Sequence, residues 1–267
     1  MFKSFTVTIR TKYPRTYSNF TGKISKTVLL FEMPDLQPMF QPHKGFLKPI
    51  HVSPLIDEHG SPVFPYYHKG SLKGTDINGT FKFKVGVPQE LAEVLFEKFK
   101  EDVGVRNRTK FENELLEFVI VDVKEDRYTL PKRFKLCFSP SLLIHPLLVN
   151  RDIRKFLPTP SAVFWVPYSL LKCDTNVSKE EVLSLEEGIV ETWKNRLKTI
   201  WIPYDGNKEP VLIGKVEYIV LKEDLMKVVE TALVMGVGAS RASGFGHVEL
   251  CDKERAVIDE DDQENPS

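Results

Sequence analysis

The sequence predicts an α+β protein made of two tandem units, each an antiparallel sheet with helices packed on it. Three observations carry that prediction. Several short runs alternate apolar and polar residues with the period of half-buried strands. Two stretches placed between such runs have the 3.6-residue apolar period of amphipathic helices. The order of these elements in the first half partly recurs in the second.

Phe5, Val7 and Ile9 alternate as the inward face of an opening strand, and the turn-rich KYPRTYSNFTG that follows interleaves aromatic with basic residues. Thr21 or Gly22 starts a helix that carries Ile24, Val28 and Phe31 on one side, with Lys23 and Lys26 beside them, and Pro34 ends it. Residues 47–55 (LKPIHVSPL) and 62–67 (PVFPYY) read as short strands, and residues 80–87 (TFKFKVGV) alternate cleanly. Pro88 opens a helix with Leu91, Leu95, Phe99 and Val103 on one face and Gly104 placed to cap it. A strand over Leu115–Val123 completes a β-α-β-β-(β)-α-β order within residues 1–124, the ferredoxin-like pattern shared by RNA-recognition domains. The polar KEDRYTLPK, 124–132, is the expected boundary.

The second unit, residues 132–251, restarts with a strand at Arg133–Phe138. Ser178 and Glu181 form a capping-box signal for a helix reaching Leu197, whereas the proline-rich 140–177 supports no assignment. A strand at Val211–Leu221, a helix at Lys222–Met235 with Leu225, Val229 and Leu233 in helical register, and a strand at Phe245–Leu250 complete the chain before an acidic tail, 252–267, expected to be disordered.

With 42% apolar, 28% charged and 11% aromatic residues, the 267-residue chain excludes disordered, collagen-like and disulfide-stapled classes. Cys137, Cys173 and Cys251 fit neither a disulfide ladder nor a CxxC metal pair, which predicts a reducing, cytoplasmic setting. The net charge of zero conceals an asymmetry: residues 252–267 hold seven acidic side chains against Lys253 and Arg255, and residues 1–84 hold twelve basic against five acidic. A positive front of this size suits a polyanionic partner.

The most specific motif is MGVGASRASGFGHVEL, 235–250, with Gly236, Gly238, Gly244 and Gly246 around Arg241. A dinucleotide fingerprint is excluded, because Arg241 occupies the place of its third glycine and a helix precedes the loop where a strand should. A glycine-rich loop still lets backbone N–H groups approach a phosphate chain, and an arginine adds a cationic fork. This loop resembles that of the repeat-associated mysterious protein (RAMP) superfamily, specifically its CRISPR-associated endoribonucleases that process precursor CRISPR RNA. LIGKVEYIVL, LKPIHVSPL and RFKLCFSPSLLI resemble strands of the same family, so the resemblance spans both halves, although residues 140–200 carry no matching motif.

The resemblance implies two ferredoxin-like domains, CRISPR repeat RNA as partner, metal-independent cleavage within the repeat, and no cofactor; effector-complex subunits and a second copy of the chain are further partners it allows. It places catalysis between the first helix and the second strand, on His43 and Lys48, with Lys26 as the lysine on the first helix; the family's tyrosine there has no counterpart. Imidazole and ammonium groups suit removal of a 2′-hydroxyl proton, stabilisation of a phosphorane and protonation of the departing 5′-oxygen. His51 is the reserve candidate. Gly236, Gly238, Ser240, Arg241, Gly244, Gly246, Lys23, Arg10, Lys12 and Arg15 are the expected RNA backbone contacts, with Tyr13 and Tyr17 expected to stack on bases. His59, His68, His145 and His247 occur singly, and no metal site is expected. The competing reading is a non-catalytic RNA-binding RAMP subunit of a CRISPR effector complex.

Overall fold

The computed structural model describes residues 1–41, 47–144, 146–147, 156–176 and 178–251. In chain order its elements begin with strand β1 (Phe2–Lys12), helices α1 (Gly22–Glu32) and α2 (Gln37–Phe40), and strands β2 (His51–Val52), β3 (Tyr66–His68), β4 (Ser71–Lys73) and β5 (Gly79–Pro88). Helix α3 (Gln89–Glu101) then leads to β6 (Arg106–Phe111), β7 (Glu114–Glu125) and β8 (Arg133–Ser141). The rest comprises α4 (Pro160–Lys172), α5 (Lys179–Gly188), β9 (Ile189–Glu191), β10 (Arg196–Tyr204), β11 (Asn207–Val220), α6 (Met226–Met235) and β12 (Val248–Leu250).

Among the described residues the first sheet runs β2-β5-β1-β7-β6, all antiparallel, so β5 lies between β1 and the strand that follows α1. The second sheet repeats that arrangement: β12-β8-β11 is followed along one edge of β11 by β9, opposite residues 218–220, and by β10, opposite residues 207–215. The β3–β4 hairpin comes from the first half of the chain yet extends the second sheet through Trp201 opposite Tyr67.

Alternation decides which face each strand buries. Phe5, Val7 and Ile9 of β1 meet Phe83 and Val85 of β5, Leu95 and Phe99 of α3, and Ile24, Val28 and Leu29 of α1 in the first core. In the second core Phe134 and Leu136 of β8, Val216 and Tyr218 of β11 and Val229 and Leu233 of α6 surround a helix the sequence conceals, α4. Residues 160–167 of α4 are buried on every side, so no apolar stripe marks it, and Pro160 and Pro167 read as breakers although Pro160 sits at the tolerated first position.

A third cluster joins the halves: Phe20 stacks on Phe245 at 4.4 Å between centroids, with Leu142, Ile202 and Val211 around them. Gly86 of β5 faces the backbone of Val234 so closely that a Cβ would collide with it, which lets α6 lie directly on the first sheet. The boundary segment is also folded down. Asp126 accepts hydrogen bonds from Ser4 and Thr6, each at 2.7 Å, and buried Lys84 donates to Tyr128 at 2.7 Å.

Two expectations are corrected and one unanticipated element is added. The helix capped by Ser178 ends at Gly188 and the chain continues as β9 and β10, so it does not reach Leu197. A polar edge strand, β6, precedes β7 and turns into it through Glu112 and Asn113, both at positive φ. Cys137 and Cys251 are joined by a disulfide that ties the end of β12 to β8, and Cys173 alone is a free thiol among the described residues. Among the described residues no helix is long and apolar enough to cross a membrane. The acidic tail, 252–267, lies outside the described residues.

Candidate functional site

Lys26 and Lys48, 22 residues apart in sequence, converge on Phe40. Thr21 and Gly22 start α1 so that Lys23 and Lys26 fall one turn apart, and Pro34 and Pro38 turn the chain through α2 to bring Phe40 beneath them. The Lys26 ammonium lies 4.8 Å from the Phe40 ring centroid, and Lys48 Nζ donates to the Phe40 carbonyl at 2.6 Å. Burial depresses the pKa of both. At Lys48 the neighbouring Lys26 depresses it further, and at Lys26 Asp205 opposes the effect. His43 lies outside the described residues.

The turn between β10 and β11 supplies groups that the sequence did not single out. Asp205 pairs with Lys23 at 2.5 Å, and Lys23 also stands 5.5 Å from the Tyr204 ring centroid. Burial raises the Tyr204 phenol above its ordinary range. The Tyr-Asp-Gly of residues 204–206 was the available signal, but the sequence predicts no element between Leu197 and Val211, so no strand led into that turn.

The glycine-rich loop bears on the same place from beneath. Gly244 packs against the backbone of Gly22 at the start of α1, and Gly236, at φ +69°, lies against the His51 ring, where any side chain would collide. Gly246 accepts the N–H of Val237, and Gly238 presses on Leu142. These glycines are spent on close approach within the protein. Arg241, expected to face phosphate, is 5% exposed; its Nη1 donates to the Met235 carbonyl and its Nη2 to the Lys48 carbonyl, both at 2.9 Å. Burial lowers the Arg241 pKa to about 10. Arg241 thus ties the loop to the backbone of a candidate catalytic lysine. Ser240, at positive φ, starts the short turn that carries it.

His51 is fully buried and stacks on His247, with ring planes 13° apart and Nε2 3.4 Å from His247 Nδ1. Both stay neutral, because burial, then Arg241 and Lys84 at His51, and burial, then Lys84 and His51 at His247, push their pKa values well below the usual histidine range. Neither ring reaches solvent, so His51 is a core group at the junction of the halves.

Of the remaining expected contacts, Arg10 and Lys12 are exposed on β1, and Arg15 is exposed but paired with Glu114 at 2.6 Å. Tyr13 and Tyr17 are buried: they pack edge-on at 5.9 Å and against Phe111, which removes them as base-stacking residues. Thr6, Thr8, Lys82, Lys84 and Lys124 of the first sheet line a cleft of about 900 Å³ shared with Cys137, Lys215 and Glu249 of the second. Among the described residues no group of three or more His, Cys, Asp or Glu side chains could hold a metal.

Comparison with known proteins turns on the architecture. No family model and no curated protein sequence matches the chain. Solved structures do: a Cas6 product complex superposes with a TM-score of 0.62 at 13% identity, covering 94% of this chain and 99% of that one. The fold is that of Cas6. A Cas6-related protein from Pyrococcus furiosus matches at TM-score 0.60 and 10% identity over 95% of this chain and 100% of its own. A RAMP protein binding different RNA substrates matches at 0.58 and 12% identity over 94% and 100%. Each of these matches extends over nearly the whole length of both chains.

Proposed function

We propose that the chain is an endoribonuclease that cuts precursor CRISPR RNA within its repeats, on a scaffold of two ferredoxin-like units. The observation that carries this reading is the convergence of Lys26 and Lys48 on Phe40 within a Cas6 fold. In the reaction the 2′-hydroxyl beside the scissile phosphate loses its proton to a base, and its oxygen attacks phosphorus. The bond from phosphorus to the 5′-oxygen breaks, and that oxygen takes up a proton, leaving a 2′,3′-cyclic phosphate and a 5′-hydroxyl. Lys26 and Lys48 stabilise the added negative charge of the phosphorane. An ammonium whose pKa is depressed also gives up its proton more readily to the leaving oxygen, which assigns that step to Lys48. His43 is the proposed base.

Two adjacent cations repel a divalent metal, so the chemistry proposed here relies on the lysines for the charge stabilisation a metal would otherwise provide. Lys23, neutralised in part by Asp205, and exposed Arg10 and Lys12 are the proposed backbone contacts. Incubation of the purified chain with repeat RNA tests the reading. Site-specific cleavage supports it, and tight binding without cleavage would favour the RNA-binding subunit instead.

A further inference from the structure

On a half-buried antiparallel sheet the solvated face is ordinarily polar. The outer part of the second sheet breaks that rule. Its inner face buries Ile202 and Val211 in the junction between the halves, whereas its outer face presents a cross-strand row: Leu72 of β4 opposite Tyr67 of β3, Tyr67 opposite Trp201 of β10, and Trp201 opposite Pro210 of β11. Direct cross-strand partners share a face, so these four side chains form one ladder. Trp201 is 49% exposed and Leu72 39%. Lys208 lies over the Tyr67 ring at 4.4 Å, and Lys69 occupies the exposed hairpin turn.

We propose that this ladder is a stacking platform for single-stranded RNA that flanks the cut repeat, an inference that rests on the RNA-processing reading and adds a second contact surface to it. Rigid aromatic rings held upright on a sheet, with cations beside them, match the chemistry of an unpaired polynucleotide: flat bases between negatively charged phosphates. The platform shares a hairpin with the candidate site but lies on its other face, because Trp201 and Tyr204 are an odd number of residues apart on β10. Tyr204 and Asp205, at the turn of the same hairpin, touch Lys23 of α1, and Trp201 is three residues up the strand, roughly 10 Å away at about 3.3 Å per residue. Residues 66–73 are drawn across from the first half of the chain to build it, which places the aromatic row beside the site without adding to either core.

Two measurements on the full chain test the platform. In a Trp193→Phe background a short oligoadenylate, used without any repeat sequence, should quench the fluorescence of Trp201, and Trp201→Phe and Tyr67→Ala controls should report on the same site; absence of quenching overturns the proposal whether or not the chain cuts repeats. Repeat RNA with a single-stranded extension should bind about tenfold more tightly than the bare repeat, a factor within the range for one stacked base. Trp201→Ala and Tyr67→Ala should abolish that gain, Trp201→Phe should retain most of it, and cleavage of the bare repeat should stay unchanged in all three. A gain that persists in both alanine variants, or concentration-dependent dimerisation that disappears in Trp201→Ala, would show that the ladder serves another occupant. Failure of the wild type to bind the bare repeat would count against the RNA-processing reading and leave the oligoadenylate result to decide the platform.

Discussion

Replacing Arg241 with alanine separates a tether from a phosphate ligand. The guanidinium makes two buried hydrogen bonds at 2.9 Å, to the carbonyls of Met235 and Lys48. Bonds of this charged kind contribute roughly 1.5–3 kcal/mol each, and removing the side-chain stem forfeits about 2 kcal/mol of burial. At the lower end of these ranges the loss is about 5 kcal/mol, or a fall of roughly 10–20 °C in melting temperature for a chain of this size. Repeat-RNA binding at several salt concentrations completes the assay. Because the guanidinium is enclosed, the salt slope should not change, while cleavage should fall as the backbone at Lys48 loosens. An unaltered melting temperature together with a salt slope reduced by one phosphate contact would refute the tether and restore Arg241 to the RNA surface.

Other perturbations probe the rest of the site and its supports. Lys48→Ala should slow cleavage by roughly 10²–10⁴-fold with little loss of binding, and the alkaline limb of the wild-type pH–rate profile should fall below the ordinary lysine range; an unchanged rate removes Lys48 from the chemistry. His51 and His247 have folded pKa values below the unfolded value of about 6.5, so the unfolded chain binds more protons below that pH and stability drops as pH falls through it. His247→Phe should flatten this acid loss in melting experiments, and an identical slope would contradict the neutral pair. Glu32, whose pKa burial and then its contact with Asp102 raise to about 8, has the opposite sense: its protonated form stabilises the fold at low pH, and that contribution is lost as pH rises towards and through 8. Glu32→Gln should therefore raise the melting temperature at about pH 9 far more than at about pH 5, where equal gains would show that Glu32 is not protonated in the folded chain.

Strands were legible where alternation survives in the sequence, as in β1, β5, β7 and β8, even though residues 83–87 of β5 are buried on both faces. Helix α3 was legible for the corresponding reason, but it ends at Glu101 with Asp102 as its C-cap, so Val103 is exposed beyond it and Gly104, at positive φ, lies past the cap that was expected of it. Helix α4 was hidden because a helix buried on all sides has no stripe, and β6 because an edge strand tolerates the polar RNRTK. At the site, Lys26 and Lys48 were found through motif resemblance, and nothing in local pattern announced that Phe40 would bring them together. Tyr13, Tyr17 and Arg241 were misread for one shared reason. Aromatic and basic residues near glycines fit a nucleic-acid surface and a tight junction between two sheets equally well, and only the partners decide: Phe111 for the tyrosines, two carbonyls for the arginine.

In the proposed reaction the RNA's own 2′-hydroxyl performs the cut, with protein cations stabilising the charge. The most direct test of this step is a pair of cognate repeat RNAs in excess chelator, one all-ribose and the other carrying a single 2′-deoxy nucleotide at the cut site. The all-ribose RNA should yield a 2′,3′-cyclic phosphate and a 5′-hydroxyl, and the deoxy RNA should bind equally well and stay whole. Cleavage of the deoxy RNA, or cleavage that requires added magnesium, would contradict the account.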